Sequence, residues 1–340
     1  MRLAPTLAIV IEGDWRDLLP GRVIRRATGR IFHYTDPAGL LGIIERRELW
    51  ATEATGMNDI TEVRQGWEFV RHWVRNQTHD VVTSAIAVAC EDGHPANDVE
   101  GVFICCATTQ EDDANQWRLY AHEGRGYCVE LDGSVPLTAM GRESKRPGAP
   151  RPPSGSSATK AFLRLGESAV VSPWLHALYT EKAKTDALDG LVANARAEWR
   201  RREERGFADS EASEFALQEL RDRVMTDTAR IAQLMKPNAF TGEREVRAIV
   251  TAFLDSSSRF RATANGVVRY VRLTAAPQGH RVDALVFDDE LGKRKSLPVR
   301  SVSLGPLIEA QNNERTIDAL LRRNDFEGAT VHRSAVHLRR

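Results

Sequence analysis

The sequence predicts a single α+β domain. Three observations carry that expectation. Short apolar runs with strand character occur both early, from Ile31, and late, to about Leu338. An Asn265-Gly266 pair sits inside one such run as a hairpin signal. Between the early and late runs, residues 174–235 read as charge-rich helix.

Composition sets the outer bounds. The 340 residues admit one large domain or two of roughly 100–200 residues each. With 42% hydrophobic and 28% charged residues the chain is ordinary globular protein, and at this length about three quarters of the unfolded surface can be buried. Basic and acidic side chains balance at 47 each, so a nucleic-acid partner would need a local basic patch. Cys105 and Cys106 are adjacent in an apolar run and no CxxC pair occurs. That argues against a cysteine zinc site and for reduced thiols in a cytoplasmic protein. The apolar stretch Leu7 to Ile11 is followed by Glu12 and Asp14 without a cleavage-type pattern, so it does not read as a signal peptide. No run of about 18 apolar residues exists, and no membrane partner is expected.

Along the chain, Ile31 to Tyr34 read as a strand. Asp36-Pro37 starts a helix, a capping carboxylate followed by a proline at the first helical position, with Leu40, Leu41, Ile44 and Leu49 as its apolar side. A second helix starts at Asn58-Asp59, where Glu62 completes a capping box and Ile60, Val63, Trp67, Val70 and Val74 form a stripe. Val102 to Ala107 is a buried strand. Asn115 to Ala121 is a short helix carrying Trp117 and Tyr120, and Tyr127 to Leu131 is another strand. Residues 141–157, with four prolines, form a flexible loop. Residues 174–235 read as two antiparallel helices inserted into the domain, breaking near Gly206. Strands follow at 246–253, 262–273, 299–304 and 330–338, with a helix over 316–323.

The sharpest chemical feature is Glu243-Arg244-Glu245-Val246-Arg247. On a strand, residues two apart share a face, so Glu243, Glu245 and Arg247 point one way while Val246, Ala248 and Val250 point to the core. Two carboxylates at a sheet mouth suit chemistry that builds positive charge; a solvated Glu–Arg edge fits the same pattern. His33-Tyr34-Thr35 precedes a helix start, where an imidazole can meet a ribose hydroxyl and a ring can stack; a packed His–Tyr pair fits as well. Asn58-Asp59 is a helix cap first and a polar pocket wall second. Trp117 and Tyr120 share a helical face as core aromatics or the lining of a ligand slot. His332 and His337 face opposite sides of one strand and make no metal pair. Asp36, Asp59 and Glu62 would bind a cation only if the fold assembled them. No Walker, GxSxG, HExxH or GxGxxG pattern occurs.

The order FHYT, LWAT, MNDITE, VFICCATTQEDDANQWRLYAHEGRGYCVELD, KPNAFTGEREVRAIV, VRSVSLGP and HRSAVHLR resembles the bacterial family called domain of unknown function 2971, over nearly the whole chain from about residue 30. Its opening and closing motifs are similar in turn to those of ADP-ribosyltransferases. The likeness implies a mixed or antiparallel split sheet of ADP-ribosyltransferase-like type with flanking helices. It implies NAD as substrate, with no metal. The histidine of an H-Y-E pattern would be His33. The closing pair would be Glu243 and Glu245, with Glu245 catalytic, Glu243 orienting the acceptor and Arg247 holding Glu245 ionised. Trp117, Tyr120 or Tyr127 would supply the middle aromatic. The acceptor would be a protein, a nucleic acid, a small molecule or water.

Three other readings stand beside this one: a non-catalytic nucleotide or nucleic-acid sensor in bacterial defence or stress response, an interaction module working through residues 174–235, and a metal nuclease.

Overall fold

A computed structural model of the chain describes residues 24–54, 60–91, 100–142, 169–253, 257–263, 266–279, 285–292 and 295–338. Asn58 and Asp59, Asn265, residues 143–157 of the expected loop and the Leu7 to Ile11 stretch lie outside them. Among the described residues the fold is α+β, with a mixed sheet of twelve strands and eight helices.

The sheet is organised around β3 (Glu100–Thr108). Its run of Val102, Phe103, Ile104, Cys105 and Cys106 is apolar on both faces, as a strand covered on both sides requires. One edge pairs antiparallel with β8 (Glu245–Phe253) over nine residue pairs, from Glu100↔Phe253 to Thr108↔Glu245. The other edge is shared. Near its start β3 pairs with β2 (Leu49–Glu53) through Thr52↔Ile104, and at its end with β1 (Arg30–Thr35) through Phe32↔Thr108. The sheet therefore divides at this edge. Beyond β1 come β4 (Tyr127–Asp132), β11 (Val299–Leu304) and β12 (Thr330–Arg333). Beyond β2 come β10 (Gly266–Ala275), β5 (Leu137–Ala139) and β9 (Ser258–Thr263), the last paired with β10. Two short strands, β6 (Ala169–Val171) and β7 (Leu175–His176), pair with β8. Only β11 and β12 run parallel; the other ladders are antiparallel.

Helices cover both faces. On one, α2 (Ile60–Arg75), α3 (Val81–Glu91), α5 (Glu181–Arg205) and α6 (Ser210–Ala232) bury Trp67, Val70, Ile86, Leu188, Leu191, Leu220 and Val224 against Ile104 and Ile249. The helices of residues 174–235 are thus a layer of the core. Their stretch opens with strand, because Leu175 and His176 pair with Arg247 and Val246. On the opposite face, α1 (Pro37–Arg46) and α8 (Ala310–Arg323) pack Leu40, Ile44, Ile317 and Leu321 against Ile31, Phe103, Val246 and Val250. α4 (Ala114–Tyr120) covers a smaller cluster of Phe32, Tyr34, Trp117 and Cys128. A short α7 (Asp288–Leu291) completes the set.

Local chemistry explains where the expected elements shift. Asp36 caps α1 by accepting from the Gly39 N–H at 2.6 Å, as its sequence implies. Arg47 then turns left-handed at φ 53°, so α1 ends before Leu49, which opens β2 instead. α3 was not legible as a helix. It is nearly all apolar, and it is started by Asp80, whose Oδ1 accepts from the N–H groups of Val82 and Thr83. β12 stops at Arg333, and residues 334–338 add no strand. His332 and His337 are both exposed.

Gly66 marks the closest approach of α2 to α6. A Cβ there would lie 2.4 Å from the Ala232 carbonyl oxygen. Gly66→Ala should therefore destabilise the chain by about 1–3 kcal/mol through overpacking, even though alanine gains about 1 kcal/mol of helix propensity. Urea unfolding at or above the wild-type midpoint would show that the two helices are not locked together here.

Candidate functional site

The glutamate pair sits where β8 begins. A 3-10 turn (Asn238–Glu243) and Arg244, left-handed at φ 43°, precede the strand. Glu243 is therefore not on the strand, and strand alternation is not what joins it to Glu245. The connection is Lys236, whose Nζ donates to Glu243 Oε2 and Glu245 Oε2, each at 2.6 Å. Lys236 is placed by the end of α6, where its backbone N–H donates to Leu178 at 3.0 Å.

Arg247, two residues on and on the same face, completes the arrangement. Its Nε donates to Glu245 Oε1 at 2.7 Å, its Nη2 to Glu245 Oε2 at 3.2 Å, and its Nη1 to the Gln233 carbonyl at 2.6 Å. Burial alone would raise the Glu245 pKa. Arg247 first, then Lys236, outweigh it and hold the carboxyl down to about 2. The backbone is equally fixed. Tyr179 Oη accepts from the Glu245 N–H at 2.8 Å, Thr108 Oγ1 donates to the Glu243 carbonyl at 2.7 Å, and Gln110 Nε2 donates to the Gly242 carbonyl at 2.7 Å.

Contacts separate the two glutamates. The Glu245 side chain is 8% exposed and both its oxygens are engaged. Glu243 accepts from Tyr120 Oη at 3.2 Å, and Tyr120 is 43% exposed. Both glutamate side chains are largely covered, Glu243 at 13% exposed, and Tyr120 is the exposed member of the group. The neighbouring Cys106 thiol is pushed well above its usual pKa by burial and then by Glu245, so it stays protonated.

The other expected residues are elsewhere. Phe32, Thr108 and Glu245 are consecutive cross-strand partners, and such partners share a face. His33, the next residue of β1, points to the other face with Ile31. There its Nδ1 donates to the Cys106 carbonyl at 2.8 Å. Burial lowers its pKa, and Arg261 acts in the same direction, so the imidazole is neutral at pH 7. Thr35 shares that face by alternation. The expected convergence of His33 with Glu245 therefore does not occur, because β3 lies between them. Tyr34 and Trp117 are on the glutamates' side of the sheet but are core residues. Their rings meet edge-on at 4.9 Å, Tyr34 Oη donates to the Gln110 carbonyl, and Trp117 Nε1 donates to Asp112 Oδ1. Tyr127 is buried among the aliphatic residues beneath α8. Asn58 is outside the described residues.

Sequence reasoning assigned no role to Lys236 or Tyr179. Lys236 precedes the glutamates by seven and nine residues. Its lysine-before-ExE spacing was the one available signal. Among the described residues no group of His, Cys, Asp or Glu could hold a metal ion, and no helix is long and apolar enough to cross a membrane. The fold and this polar cluster define the class that the structure supports, an α+β protein with a buried ion-pair site at one end of its sheet. Family models, curated proteins and solved structures offer no match to the chain.

Glu245→Gln leaves Lys236 and Arg247 buried beside a neutral amide. Removing one partner of a buried pair costs about 3–5 kcal/mol, and that loss should appear in urea unfolding at pH 7. The folded-state pKa of Glu245 is depressed from 4.5 to about 2, so its contribution is complete above pH 4.5 and fades as pH falls towards 2. The gap between wild type and variant should narrow over that window; a gap independent of pH would remove Glu245 as its source.

Proposed function

We propose that the glutamate end of the sheet acts on NAD in the manner of an ADP-ribosyltransferase, transferring ADP-ribose to an acceptor or to water. The observation that carries this reading is the meeting of Glu243, Glu245, Arg247 and Tyr120 in one hydrogen-bonded group. The divided edge of β3, with β1 and β2 parting from one strand, supports a split sheet of ADP-ribosyltransferase-like type. The reading rests on this face alone, without His33 or Thr35.

In this mechanism the bond from the ribose carbon to nicotinamide nitrogen breaks, and its electron pair leaves with nicotinamide. Positive charge then grows on the sugar. Glu243, at the mouth, stabilises that charge and takes the proton of the attacking hydroxyl or water as the new C–O bond forms. Glu245 stays ionised and fixes Lys236 and Arg247. Tyr120 offers its ring beside the mouth.

A second reading, nucleotide binding without turnover, is favoured by the occupation of both Glu245 oxygens and by the distance of His33 from the pair.

One experiment separates the two. The purified chain is incubated with NAD and released nicotinamide is quantified by chromatography. Under the transferase reading, Glu243→Gln, at unchanged unfolding midpoint, should lower release by about a hundredfold or more. Release unaffected by that substitution would end the reading. Thermal stabilisation by NAD without any release selects the binding module. Neither effect removes both.

A further inference from the structure

The wing of the sheet beyond β2 carries a cavity of about 750 Å³, within the range of small-ligand sites. It is an open cleft bordered by the end of α1, by β9 and β10, and by Gly292, Lys295 and Asp325. Five cationic side chains line it, Arg46, Arg47, Arg259, Arg272 and Lys295, against three carboxylates, Glu45, Glu48 and Asp325.

The register explains the concentration of charge. Arg259 pairs with Tyr270, Tyr270 with Thr52 and Arg272 with Trp50, so all five residues project from one face. Arg261, two residues beyond Arg259, joins them. Strands more than two hundred residues apart in sequence, β2 and β9, meet in the bond from Arg261 Nη2 to Thr52 Oγ1 at 2.7 Å.

Three of these five cations are ion-paired, Arg47 with Asp325 and both Arg272 and Lys295 with Glu48 and Asp288; among the described residues Arg46 and Arg259 are not. Glu48, 2% exposed, lies between Lys295 at 3.0 Å and Arg272 at 3.5 Å, and also accepts from Trp50 Nε1 at 2.9 Å. It holds Arg272 and Lys295 together as the floor, and Asp288 pairs with both from their outer side. Arg259 has no carboxylate partner among the described residues; its Nη2 donates to the Arg142 carbonyl at 2.6 Å. Arg46 and Arg261 lie against the Trp50 ring, at 5.5 and 5.6 Å from its centroid, rather than on acids. The Nε–H groups of Arg259, Arg261 and Arg272 are sealed from solvent without an acceptor. Arg272 itself is 6% exposed. Arg259, which has no carboxylate partner among the described residues, would gain a counter-charge from a bound anion, and the forked guanidinium geometry matches phosphate oxygens.

We propose that this cavity is a phosphate-binding site, taking a pyrophosphate-type anion or the phosphates of a nucleotide through Arg259, Arg272 and Lys295. None of Glu243, Glu245, Lys236 and Arg247 lines this site, and the proposal is independent of the NAD reading.

The test uses the whole chain at constant ionic strength, titrated by calorimetry with inorganic pyrophosphate, ADP and adenosine. Saturable binding of pyrophosphate and ADP, and none of adenosine, is expected. ADP binding tighter than pyrophosphate identifies a nucleotide as the source of the phosphates, and equal binding the free anion. Arg259→Gln and Lys295→Gln should each weaken pyrophosphate binding tenfold or more, whereas Glu243→Gln should leave it unchanged. Arg259 makes one bond, to a carbonyl, so its variant is expected to fold; the unfolding midpoint checks this, and Lys295→Gln gives a second reading. Absence of pyrophosphate binding to wild type, undiminished binding in the folded variants, or adenosine binding as well as ADP overturns the proposal.

Discussion

The carboxylate of Glu245 is the constraint on which the glutamate end of the molecule depends. It is buried, ionised, and shared between Arg247 of its own strand and Lys236 from the end of α6. Two buried cations and one buried anion could not remain together without it. Lys236 passes the constraint on to Glu243, and Arg247 passes it to the Gln233 carbonyl. One residue therefore ties the α6 terminus to the β8 start and sets where the Glu243 carboxylate stands. Because both its oxygens are engaged and its pKa is held to about 2, it keeps its charge in place without itself exchanging a proton at neutral pH.

The second constraint is the shared edge of β3. Pairing with β2 at one end and β1 at the other forces those strands apart. His33 closes part of the resulting gap by donating to the Cys106 carbonyl, a backbone acceptor that a continuous ladder would have used. A buried neutral imidazole is suited to that duty, and it explains why a histidine can stand here without reaching the glutamates.

Much of this architecture was legible in the sequence. The Asp36 cap, the apolar run of β3, the short helix with Trp117 and Tyr120, and the two long helices up to and after Gly206 all follow from local chemistry. The misses have physical causes. α3 carries an apolar residue, Val88, even on its exposed side, so periodicity is silent. The separation of His33 from Glu245 is set by residue parity across β1, β3 and β8, a register that no short motif encodes. Lys236 carries no mark of burial until the fold brings two acids to it.

Net charge conceals the remaining feature. Equal numbers of acidic and basic residues argue against a broadly basic surface, and that inference is sound as far as it goes. It says nothing about segregation. The two wings of the sheet treat charge differently. On one side Glu243 and Glu245 neutralise Lys236 and Arg247 pair for pair. On the other, Arg46, Arg259 and Arg261 rest on an aromatic ring or a carbonyl instead of on acids. Cation–π contact with Trp50 orients a guanidinium without cancelling its charge, so this arrangement keeps a positive field that ion pairing would have removed. A chain that needed those arginines for stability alone would gain more by pairing them with the carboxylates it has in equal supply. Their unpaired state is the physical reason to look for an anion there.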